Sequence, residues 1–268
     1  MIERGNIVQR ENSVDSCFML PVLPEKIGSL RDFWDDAGEK FGSETDGHFK
    51  LFGVRNVIVF LETIKGKGDY MVTFMRSTDS LDQTIRGLFG SEVPCSKYFD
   101  ERFKDFTGVY LSQAGNVPKL EPLMDWQETH EFLEERNMLE MPWCVTAPLL
   151  PGKTDEVVKY AREAAARRDE WVKVLRDHDV IRNLTFLQRT PHGDFVVKYT
   201  VTSSPLDKLV EEFLACDQKA CKASRQFAKD VTGIDFSDPQ NMPDLRLLFK
   251  WDEQRGFDTV EQVIAYTE

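Results

Sequence analysis

The chain has 268 residues, 41% hydrophobic and 30% charged, which suits one large or two modest globular domains. A net charge of −12 and a pI near 5.0 leave no basic footprint, so neither nucleic acid nor an anionic membrane surface is an expected partner. Residues 1–12 lack the apolar core of a signal peptide, and no stretch approaches the ~18 apolar residues of a membrane span, so a cytoplasmic location is expected.

Five cysteines (Cys17, Cys95, Cys144, Cys216, Cys221) are odd in number and lack CxxC spacing. All five read as reduced, mostly buried thiols, with Cys216 and Cys221 diverging around a helix.

The sequence repeats itself. Cys17-Phe-Met-Leu-Pro-Val-Leu-Pro-Glu-Lys26 returns 127 residues later as Cys144-Val-Thr-Ala-Pro-Leu-Leu-Pro-Gly-Lys153. At the same offset Val54-Arg55-Asn56-Val57 matches Ile181-Arg182-Asn183-Leu184. From Gly68-Asp69-Tyr70 and Gly193-Asp194-Phe195 onward the offset is 125, carrying Lys104–Gly108 onto Lys229–Gly233 and Trp126 onto Trp251.

Each copy reads βαββαβ. Strand one (18–22; 145–149) ends at a proline that starts a helix. In the second copy Val157, Ala161, Ala164, Trp171 and Leu175 fall at helical spacing. Strand two (54–61; 181–188) and strand three (70–75; 195–201) form a hairpin across the Gly-Asp turn. A second helix, carrying Leu206 through Phe227 in the second copy, stops at Thr232-Gly233. Strand four is 119–126 or 244–251. Residues 127–143 read as a charged connecting helix or linker and 252–268 as a helical tail, which sets repeat 1 at 13–126 and repeat 2 at 144–251.

The fold class is therefore α+β: two tandem ferredoxin-like repeats whose antiparallel sheets face each other. The Pro-started helix, the Gly-Asp hairpin and the Thr-Gly helix stop resemble the dimeric α/β-barrel superfamily over about residues 17–251. That resemblance implies a barrel with a ligand-holding lumen. It admits cofactor-independent monooxygenases, haem-degrading oxygenases, haem-dependent chlorite dismutases, small isomerases and proteins without activity.

The candidate site follows from strand alternation. Phe195, Val197, Tyr199 and Val201 are assigned to the helix-packed core, which turns Val196, Lys198 and Thr200 to the lumen, with Met71, Thr73 and Met75 opposite. Asn56 and Asn183 are read as lumen-facing, Arg55 and Arg182 as rim groups. The repeated Arg-Asn pair reads either as a polar clamp for a ligand oxygen or as a strand-start ion pair and hydrogen bond. Trp171 is a candidate pocket wall. Of the four histidines, His178, within Arg176-Asp177-His178-Asp179, is the candidate base or axial haem ligand. His192 reads as an exposed turn residue, and His48 and His130 as featureless. No HExxH, GxSxG or phosphate loop occurs, and no metal site is expected.

The function expected is a small-molecule enzyme of cofactor-independent monooxygenase or isomerase type. Its apolar or aromatic ligand would be polarised by Asn56, Asn183, Lys198 and Thr73. The alternatives are a haem protein with His178 as ligand, or a non-catalytic binding protein with a collapsed lumen. A monomer or a homodimer is expected.

Overall fold

The computed structural model describes residues 13–39, 41–129 and 140–257. The first half runs β1 (Val14–Val22), α1 (Ile27–Glu39), α2 (Gly42–Leu51), β2 (Val54–Ile64), β3 (Gly68–Ser77), α3 (Leu81–Gly90), α4 (Pro94–Thr107) and β4 (Lys119–Gln127). The second runs β5 (Met141–Pro148), α5 (Thr154–Ala166), α6 (Arg168–Asp177), β6 (Val180–Thr190), β7 (Gly193–Thr202), α7 (Leu206–Ala215), α8 (Lys219–Thr232) and β8 (Asp244–Asp252). The helices match pair by pair in length: 13, 10, 10 and 14 residues in each half. Each single helix expected from the sequence is a pair broken by a short turn. Gly108 and Gly233 close the last helix of each set in the left-handed region, donating to the Lys104 and Lys229 carbonyls.

The fourth strands are exchanged. Sheet one has the order β1-β3-β2-β8-β9, where β9 is Gly256–Phe257, and sheet two β4-β6-β7-β5, all antiparallel. β4 of the first half thus pairs with β6 of the second, and β8 with β2. Neither repeat completes its sheet alone, so the halves are tied by main-chain ladders. The short β9 is Gly256–Phe257, where a helix was expected; residues 258–268 and most of the expected connecting helix lie outside the described residues.

The sheets face each other, as the repeat implied, but among the described residues no ladder joins them, so they do not close into a barrel. The space between them is filled. Phe74 stacks on Tyr199 at 3.7 Å, and Tyr70 meets Phe195 edge-on at 5.7 Å. Cys17 and Cys144, equivalent by repeat, are both free and fully buried there, and burial together with their mutual hydrogen bond pushes the Cys144 thiol up. Gln188 reaches across to accept from Met19 N (2.9 Å) and donate to Met19 O (2.8 Å).

This packing reverses the face assignment read from the sequence. Phe195, Val197, Tyr199 and Val201 form the inter-sheet core, while Met71 and Met75 belong to the helix-side core of the first half, with Thr73 beside them. The more apolar strand face meets the other sheet because that interface is dry on both sides.

Gly53 joins α2 to β2 at φ +68, where an added Cβ would lie 2.1 Å from Thr78 Oγ1. Gly53→Ala is expected to lower stability by at least about 1 kcal/mol, read as a shift in urea midpoint; an unchanged midpoint would show that the turn relaxes freely.

Candidate functional site

Register decides which predicted residues meet. Val57 pairs with Met75, and Asn183 with Thr200. Since Met75 and Thr200 are repeat equivalents, the structural partner of Asn183 is Val57 rather than Asn56. Arg55 and Ile181 each sit in a bulge that shifts the register by one position. Both bulges fall at equivalent positions, so strand two superposes along its whole length with Arg55 on Ile181 and Asn56 on Arg182; the duplicated Arg-Asn pair is one position out of register and its members point to different faces.

Asn56 lies on the inter-sheet side at the rim, donating to Asp252 Oδ2 at 3.3 Å. Arg55 is bound to Glu253. Arg182 bonds Asp15 and Asp125 at 3.1 Å each, and Asp15 also holds Arg76 at 2.6 Å, which makes an ion network across the sheet ends. Both arginines already have carboxylate partners, so the ion-pair reading of the Arg-Asn motif fits them. Thr73 is buried in the apolar first-half core, away from the other candidates. Trp171 packs on Tyr160, with ring centroids 6.4 Å apart, in the second helical layer.

Asn183, Lys198 and Thr200 do share one face, but it is the helix-covered face of sheet two rather than the inter-sheet side. Lys198 pairs with Val145 on one side and Thr185 on the other, which puts all three on that face. Thr200 Oγ1 donates to Asn183 Oδ1 at 3.4 Å, and the Asn183 amide donates to Met124 Sδ at 2.9 Å. A thioether is a weak acceptor, so that amide N–H is readily redirected to a ligand oxygen.

The equivalent place in the first half is an apolar cavity of about 30 Å³, bounded by Phe18, Val57, Thr73 and Met75 of the sheet and by Trp34, Phe99 and Phe103 of the helices. By repeat register the four sheet positions become Val145, Asn183, Lys198 and Thr200, and the three helix positions become Ala161, Ser224 and Ala228. Three large rings are thus replaced by three small side chains. Exposure follows: Phe18, Val59, Met71 and Thr73 are buried, whereas their equivalents Val145, Thr185, Val196 and Lys198 are half-buried. The second-half face is thus covered by small helix residues, with Lys198 half-buried and Asn183 and Thr200 buried beneath it.

Lys198 stands on this face with its Nζ 5.9 Å from the Trp143 ring centroid. No carboxylate pairs with it among the described residues, and desolvation lowers its pKa to about 8. An amine with that value is partly unprotonated near neutral pH and can accept a proton. The lysine was legible as a candidate. The missed signal was in the helices, where Trp34, Phe99 and Phe103 stand against Ala161, Ser224 and Ala228.

His178 lies elsewhere, at the C-terminal end of α6. Its Nδ1 donates to Val174 O at 2.7 Å, and its ring is 5.9 Å from Phe213. Cys216 and Cys221, expected to diverge as free thiols, are joined as a disulfide with Cα atoms 6.1 Å apart. They meet because the helix breaks at Cys216 and Gln218, whose backbones are extended. His48, read as featureless, is buried in α2 with Nε2 bonded to Leu88 O at 2.9 Å, and its burial lowers its pKa. His192 is exposed in its turn, and His130 lies outside the described residues. No helix among the described residues is long and apolar enough to cross a membrane.

Residues 142–242 match the model of a "Family of unknown function (DUF6176)", a span that contains Asn183, Lys198 and Thr200. Two crystal structures are similar in outline. One, named "Putative monooxygenase" from Fusobacterium nucleatum subsp. nucleatum ATCC 25586, has 10% identity and a TM-score of 0.45, covering 92% of this chain and 96% of that one. The other, a "putative monooxygenase" from Lactobacillus acidophilus NCFM, has 8% identity and a TM-score of 0.43, covering 92% and 99%. None of the curated proteins compared matches the chain.

Proposed function

We propose that the chain is a small-molecule enzyme working by proton transfer in a second-half cleft between the Lys198 face of sheet two and its helices, with an apolar or aromatic ligand that carries an enolisable carbonyl or a phenolic oxygen. The observation that carries this reading is the asymmetry of the repeats: one helix-covered sheet face is covered by aromatic rings, and its equivalent has small helix residues over a half-buried lysine whose pKa is lowered by burial. Such a lysine is costly to structure and useful to acid–base chemistry.

In this reading the Lys198 amine removes a proton from carbon or phenolic oxygen, and the electron pair is left on the ligand as an enolate or phenolate. The new ammonium stays beside the anion. Asn183, its amide released from Met124, and the Thr200 hydroxyl stabilise the oxyanion. Proton return at a second carbon would complete an isomerisation; reaction of the carbanion with dioxygen would complete a cofactor-independent oxygenation. Both share the first step.

Proton nuclear magnetic resonance in D₂O tests that step. The protein is expected to accelerate deuterium uptake into enolisable aryl ketones, and Lys198→Met to abolish the acceleration. Uptake at the buffer rate with both proteins would sink the proposal and favour a non-catalytic protein, for which a filled inter-sheet space is the natural arrangement. Restoring the first-half plug with Ser224→Phe and Ala228→Phe is expected to abolish ligand binding by saturation-transfer measurements while the far-ultraviolet circular dichroism stays unchanged. Undiminished binding would place the ligand elsewhere.

A further inference from the structure

Beside the turn between α7 and α8, one ring nitrogen of His178 and the sulfurs of Cys216 and Cys221 lie within 4.8 Å of one another. The first half shows what this corner does without chemistry. The equivalent positions are Phe52, Ser91 and Ser96, and the two serine hydroxyls hydrogen-bond to each other at 2.5 Å. The fold brings this pair of side chains together in both halves, and only the second half converts all three positions to borderline and soft metal ligands.

The surroundings fix the three groups. Arg225 Nη1 donates to Phe213 O at 2.6 Å and Cys216 O at 3.0 Å, which holds the turn that carries Cys216. Gln218 Nε2 donates to Asp177 Oδ2 at 2.8 Å and draws the same turn toward the residue before His178. A carbonyl only accepts, so the His178 Nδ1 bonded to Val174 O is protonated and the Nε2 lone pair is left for a ligand bond. His178 and Cys221 are buried, while Cys216 is partly accessible and gives solvent or an ion a way in.

We infer that, once the disulfide is reduced, Cys216, Cys221 and His178 Nε2 form a three-ligand site for a thiophilic divalent cation of the zinc type, with the fourth position open to water. Two thiols of a reductant convert the disulfide to two protein thiols and leave as their own disulfide. Metal binding then releases the two thiol protons. The reverse exchange with a small-molecule disulfide, which takes up the two electrons and leaves as two thiols, re-forms the protein disulfide and expels the ion, so metal occupancy follows the thiol redox state.

The test is anaerobic titration of the phosphine-reduced full chain with Co²⁺. The expected result is a thiolate-to-cobalt charge-transfer band that saturates at one ion per chain, is displaced by Zn²⁺, and is absent from the disulfide form. His178→Gln is expected to weaken binding about tenfold or more. The double variant Cys216→Ser with Cys221→Ser reproduces the Ser91–Ser96 pair, so it should fold and lose the band. No band in the reduced protein, an unchanged band in the double-serine variant, or undiminished affinity in His178→Gln each overturns the proposal. A Soret band in the purified protein that His178→Gln removes would also overturn it, by assigning His178 to haem.

Discussion

Lys198→Met is expected to lower proton-transfer activity by about 10²-fold or more, the usual contribution of a positioned general base. It is also expected to raise stability at neutral pH. The pKa of about 8 lies below the ordinary lysine value, because burial disfavours the charged form. The unfolded chain therefore binds more protons than the native one between about pH 8 and 10.4, and stability rises with pH across that window. Below it the native ammonium costs up to about 3 kcal/mol, which methionine removes. Wild-type activity should climb from pH 7 to 9 and level off as the free amine accumulates. Activity that is flat over this range, or a methionine variant less stable than wild type at pH 7, would show that Lys198 is not a desolvated base.

Glu62→Gln is expected to stabilise the protein by about 1–3 kcal/mol at pH 8. Glu62 is 0% exposed in the inter-sheet core. One of its oxygens accepts from Thr146 N at 2.7 Å, and the other has no partner. Burial holds its carboxyl well above the usual range. The repeat supplies the remedy. Glu62 occupies the register position of Gln188, and Thr146 that of Met19. Gln188 satisfies both main-chain groups of Met19 because it has a donor as well as an acceptor. A glutamine at position 62 can do the same for Thr146. The acid does so only when protonated, so its contribution is fully present below the ordinary carboxylate range and is lost as pH rises through the raised value. The stability gap between Glu62→Gln and wild type should therefore widen from pH 5 to pH 8.5 in urea unfolding. A gap that is constant with pH, or a destabilised glutamine variant, would refute this account.

These two residues show how the repeat divides legible from illegible. Residue type and strand position point to Lys198 and Asn183, and the two do lie together. Their face was misassigned because alternation reveals that a strand has two faces without saying which meets the second sheet. Glu62 was passed over among many carboxylates, since its burial depends on β2 lying opposite β5, a contact remote in sequence.

The duplication, the order of elements, the α+β class, the hairpins and the glycine-capped helix ends can all be read from the residues alone. All rest on local periodicity and turn chemistry, which a short window contains. Tertiary structure alone decided the exchange of β4 and β8, the one-residue bulges at Arg55 and Ile181, and the meeting of Cys216 with Cys221. Strand pairing depends on which edges meet in space, and a one-residue difference in register turns every later side chain to the other face. The candidate cleft belongs to both levels. Its small residues stand in the sequence, and only the repeat register of the packed helices sets them over the Lys198 face.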